Sequence, residues 1–183
     1  MDGRKTHETA VVLIPPEECW GPIQAIRRSH DRQFRRWMPH ITLLYPFRPR
    51  ALFAEATAAL RAAATEIEPF AITLRELRYF RHGHSSYTVW LAPEPGAALK
   101  RLQAALQGAL PDCDDLAQHP DGFTPHLSVG QVRGAAGRLS EVTQAIREGW
   151  RPLTFVATQV SLVWRNAPPD DVFRIDRHVA LGR

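Results

Sequence analysis

The pattern of apolar and polar positions divides the chain into short strands and amphipathic helices. Apolar and β-branched residues fill positions 9–14, and Pro15 and Pro16 follow, which predicts a buried strand and then a helix start. Apolar side chains recur at helical spacing in four segments, at about residues 17–37, 51–68, 99–110 and 139–150. We expect the first helix to continue to Trp37, because Pro39 would end it.

Shorter apolar runs predict the remaining strands at residues 40–44, 70–79, 87–91, 126–129, 155–164 and 173–181. The strands at residues 70–79 and 87–91 would form a hairpin. The last two strands would form a longer hairpin across residues 166–171. We expect Gly130 to end the strand before it and to leave room on the face that carries His126.

The predicted order is strand-helix-strand-helix-strand-strand-helix-strand-helix-strand-strand, which is typical of an α+β protein. Each half of the chain repeats roughly the same order, and no segment between the halves looks disordered. We therefore expect one domain, residues 1–183, with two similar lobes that each contribute a sheet and outer helices.

Two nearly identical tetrapeptides stand out, Pro-His-Ile-Thr at residues 39–42 and Pro-His-Leu-Ser at residues 125–128. Side chains two positions apart share one face of a strand, so His40 would lie beside Thr42, and His126 beside Ser128. The histidines are 86 positions apart, close to half of the 183 residues. The repetition predicts one site built from both halves.

Two imidazoles and two hydroxyls are suited to acid–base chemistry on a phosphate. One neutral histidine can take a proton from attacking water, and one protonated histidine can donate a proton to the departing oxygen. Thr42 and Ser128 would donate hydrogen bonds to the non-bridging oxygens. Such a site needs no metal or other cofactor, and the sequence has no evident carboxylate cluster for magnesium.

The composition is compatible with this interpretation without requiring it. Apolar residues make up 44% and charged residues 23%, and the net charge of +4 with a pI near 9.6 favours anionic partners such as nucleotides or RNA. No apolar run approaches the roughly 18 residues that a membrane span needs. The two cysteines have no metal-binding spacing. We expect a cytoplasmic monomer.

The paired motifs resemble the twin H-x-[ST]-x signature of the two-histidine phosphoesterase superfamily, which includes RNA 2′,3′-cyclic phosphodiesterases and proteins named 2′-5′ RNA ligases. Residues 45–47 (Tyr-Pro-Phe) and 123–125 (Phe-Thr-Pro) also resemble that family. The resemblance implies a bilobal fold in which two antiparallel-rich sheets face a central cleft. It also implies hydrolysis of 2′,3′-cyclic phosphates, at RNA ends or on small nucleotides, to 2′-phosphates. His40 would be the acid and His126 the base.

The chain departs from the family after the second motif, where several members carry a basic residue and this chain has Gly130 and Gln131. Strand parity predicts that Gln131 points away from His126. Either another arginine binds the phosphate, with Arg48 and Arg165 as candidates, or the substrate differs from that of those members.

Several alternatives remain open. The two histidines could be core residues, or they could bind zinc together with His82 and His84, which we otherwise expect to be exposed turn residues. Among the aromatic residues, Tyr45 and Phe123 flank the motifs and are the best candidates to contact a nucleobase. The same fold could also serve as an RNA- or nucleotide-binding module without turnover, or as a 2′-5′ RNA ligase that runs the reaction in reverse.

Overall fold

The computed structural model describes residues 5–182, and within that part an eight-stranded antiparallel sheet is covered by four helices. The predicted domain range also includes residues 1–4 and 183, which lie outside the described part. The elements are β1 Thr9–Leu13, α1 Trp20–His30, β2 Ile41–Leu44, α2 Phe53–Thr65, β3 Phe70–His82, β4 Ser86–Glu94, α3 Gly96–Ala109, β5 Leu127–Arg133, α4 Ala136–Gly149, β6 Leu153–Ala157, β7 Gln159–Trp164 and β8 Arg174–Ala180.

The strand order β6-β3-β4-β5-β2-β1-β7-β8 confirms the α+β class and the two-part organisation. Strands β6, β3, β4 and β5 form one half, and β2, β1, β7 and β8 form the other. The register pair Ile41–Leu127 joins the halves, so the two predicted sheets are parts of one curled sheet. This seam is also where the two histidine motifs meet.

The two faces of the sheet have different roles, as β1 illustrates. Val11 and Leu13 point into the main core beneath the helices, whereas Ala10 and Val12 belong to a smaller apolar cluster on the opposite face. Helices α1 and α4 pack on β5, α2 packs on α3 and β8, and α3 also contacts β2 and β4. The helices therefore cover one face and leave the other accessible along the seam.

The first helix is shorter than predicted. Helix α1 ends at His30 because Asp31 adopts an extended backbone, with φ −106° and ψ 110°. The Asp31 carboxylate accepts a hydrogen bond from the backbone N–H of Gln33, which stabilises a turn rather than another helical turn. Phe34 and Trp37 kept a helical spacing in sequence, but they lie beyond the helix.

The predicted strand at residues 155–164 is two strands. β6 pairs with β3 in one half, whereas β7 pairs with β1 in the other half. Only Thr158 separates β6 from β7 in sequence. Strand β6, at one edge of the sheet, must therefore lie close to β7, near the opposite edge. The curl of the sheet follows from this connection, which an unbroken apolar run does not reveal.

Strand β5 passes through Gly130 and ends at Arg133, so the prediction that Gly130 ends it was wrong. The pairing with β4 shifts between Ser128 and Gly130, which places a β-bulge at Val129. The extra residue reverses the alternation of side chains between the two faces of β5 after Val129. Gln131 therefore faces the same side of the sheet as Ser128. The space left by Gly130 is used by α1, because a Cβ there would lie 2.8 Å from the Cβ of His30.

Candidate functional site

A cleft of about 710 Å³ lies on the accessible face of the sheet, over the seam between β2 and β5. His40 precedes β2 and Thr42 lies within it, whereas His126 precedes β5 and Ser128 lies within it. The structure brings together the four residues of the two motifs and the two aromatic candidates that flank them, namely His40, Thr42, Tyr45, Phe123, His126 and Ser128.

The two histidines are held by the same backbone contact. His40 Nδ1 donates a hydrogen bond to the carbonyl oxygen of Met38 at 2.8 Å, and His126 Nδ1 donates one to the carbonyl oxygen of Thr124 at 2.8 Å. Because a carbonyl oxygen only accepts, Nδ1 carries the proton in each neutral ring. Nε2 is then the ring atom available to accept or deliver a proton.

Aromatic rings fix the orientation of both imidazoles. His40 stacks on Trp37, with ring centroids 4.3 Å apart and planes 21° apart, and Trp37 in turn stacks on Phe173. The ring of His126 is nearly perpendicular to that of Phe80, with centroids 5.0 Å apart and planes 87° apart, and the Trp90 ring centroid lies 5.9 Å away. These contacts restrict the access of water to both rings.

Burial in these aromatic surroundings favours the neutral form of each histidine. Burial lowers the pKa of His40 to about 4, and positive charges on Arg27 and His126 act in the same direction. Burial likewise lowers the pKa of His126. The hydrogen bonds to Met38 and Thr124 oppose these shifts. Both rings are therefore neutral near pH 7, and each Nε2 carries a free lone pair.

A buried ion pair supports the His40 side of the cleft. Arg27 Nε donates to Asp31 Oδ2 at 2.7 Å, and Arg27 Nη2 donates to the carbonyl oxygen of Trp37 at 2.8 Å. Asp31 Oδ1 also accepts from Gln131 Nε2 at 3.0 Å. Gln131 Oε1 in turn accepts from the backbone N–H of Arg32 at 2.9 Å. The network connects α1, the segment that carries Trp37, and β5.

Sequence reasoning missed this network. One feature of the sequence could have indicated the ion pair. Arg27 and Asp31 are four residues apart, a spacing at which oppositely charged side chains meet on a helix. The signal was obscured because the helix was expected to continue beyond Asp31. The position of Gln131 was missed because the bulge at Val129 is not visible in the pattern.

The arginines proposed to replace the missing basic residue do not line the cleft. Arg48 pairs with Asp112 at 2.7 Å, and Arg165 donates to the carbonyl oxygen of Asn166. Two other arginines line the cleft, Arg27 and Arg81. Arg27 is occupied by Asp31, whereas Arg81 is exposed at the rim and donates to the carbonyl oxygen of Gly83 at 2.9 Å.

Further histidines lie near the cleft. His82 ends β3 and is exposed as expected, but it lines the cleft, and its Nε2 lies 3.0 Å from Thr88 Oγ1. His119 lies at the rim, whereas His84 does not line the cleft. No group of three or more His, Cys, Asp or Glu side chains among residues 5–182 is arranged to hold a metal ion. In the same range, no helix has the length and hydrophobicity needed to cross a membrane.

The curled sheet and the two matched histidine motifs define the class to which this chain belongs. The family described as the 2′-5′ RNA ligase superfamily matches residues 15–169, and the chain is a member of this family of two-histidine phosphoesterases.

Known proteins agree with this placement. A protein of Geobacillus kaustophilus (strain HTA426) named "Putative phosphoesterase GK0864" is 28% identical over 123 residues, which are 66% of this chain and 67% of that protein. The crystal structure of TT0787 of Thermus thermophilus has a TM-score of 0.65 and 21% identity, covering 96% of this chain and 98% of that one.

The apo structure of LigT from E. coli has a TM-score of 0.63 and 19% identity, and the match covers 98% of this chain and all of that one (100%). LigT has also been crystallised with phosphate and with 3′-AMP. At these identities the structural matches establish the fold.

Proposed function

We propose that this protein is a phosphodiesterase that opens 2′,3′-cyclic phosphates, on RNA ends or small nucleotides, to 2′-phosphates. The observation that carries the proposal is the matched setting of the two histidines. In each ring Nδ1 is bound to a carbonyl oxygen two residues earlier, which leaves Nε2 available in one shared cleft. Two such rings can divide the acid and base roles of one displacement at phosphorus.

In the proposed reaction, the neutral histidine takes a proton from water as the water oxygen bonds to phosphorus. The bond between phosphorus and the 3′ oxygen breaks, and the protonated histidine gives its proton to that oxygen. The two rings exchange protonation states, and solvent restores them. The family resemblance assigns the acid role to His40 and the base role to His126.

The low pKa of His40 fits this scheme once the substrate is considered. A bound phosphate brings negative charge next to two buried imidazole rings, and this charge favours a protonated imidazole. The substrate would thus help to charge the acid that it needs. The positive charge of the second ring disfavours protonation of the first, which keeps one acid and one base available.

The remaining cleft residues have supporting roles in this proposal. Thr42 and Ser128 would donate hydrogen bonds to the non-bridging phosphoryl oxygens, whose charge needs stabilisation during transfer. Tyr45 and Phe123 are half-buried at the cleft and would contact the nucleobase. LigT, which has the same fold, has been crystallised with phosphate and with 3′-AMP, and this supports a nucleotide ligand here.

The proposal predicts that the purified protein hydrolyses adenosine 2′,3′-cyclic phosphate in the presence of EDTA. His40→Ala and His126→Ala should each lower kcat by about 100-fold to 10,000-fold, because each removes one proton-transfer group. His84→Ala is the matched control, since His84 is exposed in the β3–β4 turn and does not line the cleft.

Product analysis by chromatography would identify the 2′-phosphate, and circular dichroism would confirm that the variants fold. Hydrolysis that survives either cleft substitution, or that needs added metal, would contradict the proposal. Nucleotide binding without any turnover would instead support the binding-module alternative.

A further inference from the structure

A second cavity, of about 430 Å³, lies where the end of α1 meets the end of β5 and the start of α4. Four arginines line it, and we call it the arginine groove: Arg28, Arg32, Arg133 and Arg138. No residue of the two histidine motifs lines this groove, and the proposed proton transfers involve none of its arginines.

The arginine groove begins where the cleft ends. Asp31 and Gln131 line both cavities, and their side chains are hydrogen-bonded to each other at 3.0 Å. The backbone N–H of Arg32 donates to Gln131 Oε1, which fixes the start of the groove relative to β5. The groove and the cleft therefore adjoin, and the side chains of Asp31 and Gln131 form the wall that they share.

The charges in the groove are largely available to a ligand. Within residues 5–182, the exposed side chains of Arg28, Arg32 and Arg133 form no ion pair with a carboxylate, whereas Arg138 pairs with Glu141 at 3.2 Å. The carboxylate of Asp31 is already neutralised by Arg27. Burial, and after it the positive charge of Arg138, lower the pKa of His30, which lies in the same cavity.

We propose that the arginine groove binds the phosphodiester backbone of a single-stranded RNA whose 3′ end occupies the cleft. This inference rests on the proposed function and narrows it, because the preferred substrate becomes an RNA chain. Arginine guanidinium groups bind phosphate oxygens in pairs of parallel hydrogen bonds.

The chemistry of the RNA end sets the direction of binding. A 2′,3′-cyclic phosphate closes the 3′ end, so the rest of the chain leaves the cleft through its 5′ oxygen. Strand β5 rises about 3.3 Å per residue, and its bulge adds one residue without adding length, so Arg133 lies about 13 Å beyond Ser128. That distance corresponds to about four stacked nucleotides at about 3.4 Å each.

The test is a binding measurement that requires no turnover. The probe is a fluorescein-labelled single-stranded RNA of ten nucleotides with a 3′-phosphate, titrated by anisotropy at several salt concentrations. The groove variant is Arg32→Glu with Arg133→Glu. The matched control is Arg61→Glu with Arg101→Glu, exposed positions on α2 and α3 that change the net charge equally.

We expect the groove variant to bind this RNA about tenfold more weakly at about 50 mM salt, and the control to stay within about twofold of the unmodified protein. The slope of log affinity against log salt should fall by about 1.4, since each lost phosphate contact on a single strand contributes about 0.7. Equal weakening in both variants, or unchanged binding in the groove variant, would overturn the proposal.

A second measurement separates this inference from the proposed function. Adenosine 2′,3′-cyclic phosphate has no nucleotides on its 5′ side, so its turnover should be the same in the groove variant and in the unmodified protein. If no cyclic phosphate is hydrolysed at all, the proposed function fails, but the RNA titration still decides whether the groove binds RNA. A groove variant that loses both mononucleotide turnover and RNA binding would count against the groove.

Discussion

At the scale of single residues, each cleft histidine is a base whose surroundings keep it uncharged. Burial against Trp37 lowers the pKa of His40, and burial near Phe80 lowers that of His126. The hydrogen bond from Nδ1 to a carbonyl oxygen fixes the available nitrogen in both rings. A bound anion supplies the charge that would make protonation favourable, so anion binding and proton uptake should be linked.

This linkage predicts that sulfate binds more tightly as the pH falls. Sulfate keeps its charge between about pH 4 and pH 8, so any pH dependence comes from the protein. Without a bound anion His40 is neutral until the pH approaches about 4, and we expect the bound sulfate to raise its pKa. Affinity should rise as the pH falls toward 4, by up to about tenfold per pH unit for each proton taken up, and then level off.

Isothermal titration calorimetry in buffers of different ionisation enthalpy would measure this proton uptake directly. His40→Gln should remove the uptake that belongs to His40, while His84→Gln, outside the cleft, should leave it unchanged. Sulfate affinity that is independent of pH in the unmodified protein would contradict the linkage.

At the scale of the elements, β5 does more than present the second motif. The bulge at Val129 lets Ser128 and Gln131 face the same cleft, while Gly130 allows the backbone of β5 to lie against the end of α1. A Cβ at position 130 would lie 3.1 Å from the carbonyl oxygen of His30 and closer still to its Cβ. Neither neighbour is the flexible end of a side chain.

Gly130→Ala should therefore lower the free energy of unfolding by about 1–3 kcal/mol, the usual cost of forcing atoms into a packed region. Gly108→Ala is the control, because a Cβ at that position on α3 would have no neighbouring atom within 4 Å. Alanine there should be neutral or stabilise by up to about 1 kcal/mol. Urea unfolding followed by circular dichroism would give both values, and equal stability of the two variants would contradict the packing argument.

At the scale of the whole molecule, the curled sheet is joined at its seam by β2 and β5. The Arg27–Asp31 pair reinforces this seam, because Asp31 is also bound to Gln131 of β5. Both side chains of the pair are only 2% exposed. Each buried charge is therefore stabilised by the opposite charge of its partner rather than by water. Asp31 and Gln131 also line both the cleft and the arginine groove.

Asp31→Ala should lower the free energy of unfolding by about 3–5 kcal/mol, since it leaves the guanidinium of Arg27 buried without its partner. The double variant Arg27→Met with Asp31→Leu should be more stable than this single variant, because no uncompensated charge remains. Glu141→Ala breaks the exposed pair with Arg138 and should change stability by less than about 1 kcal/mol. If Asp31→Ala proved as mild as Glu141→Ala in urea unfolding, the proposed importance of the buried pair would be wrong.

Much of this architecture could be predicted from local patterns. Alternation in the two motif strands predicted that His40 would lie with Thr42 and His126 with Ser128, and the structure places all four at one cleft. Helical spacing predicted α2, α3 and α4 to within a few residues. These features depend on side chains that are close in sequence, where periodicity carries the information.

Other features depended on contacts between distant parts of the chain. The end of α1, the separation of β6 from β7, and the direction of Gln131 were all predicted incorrectly. In each case the apolar spacing continued while the backbone changed direction or gained one residue. The two candidate arginines also do not line the cleft, since carboxylate and carbonyl partners hold Arg48 and Arg165 elsewhere.

The sequence by itself therefore determined the α+β class, the two halves and the chemical groups of the paired motifs, because these follow from composition, spacing and strand alternation. The tertiary structure decided the course of the curled sheet, the buried Arg27–Asp31 pair beside His40, and the position of the arginine groove next to the cleft. The physical reason is that a bulge, a helix end and a buried charge are stabilised by partners that lie far away in sequence. The local spacing of apolar residues does not indicate which distant residues these partners are.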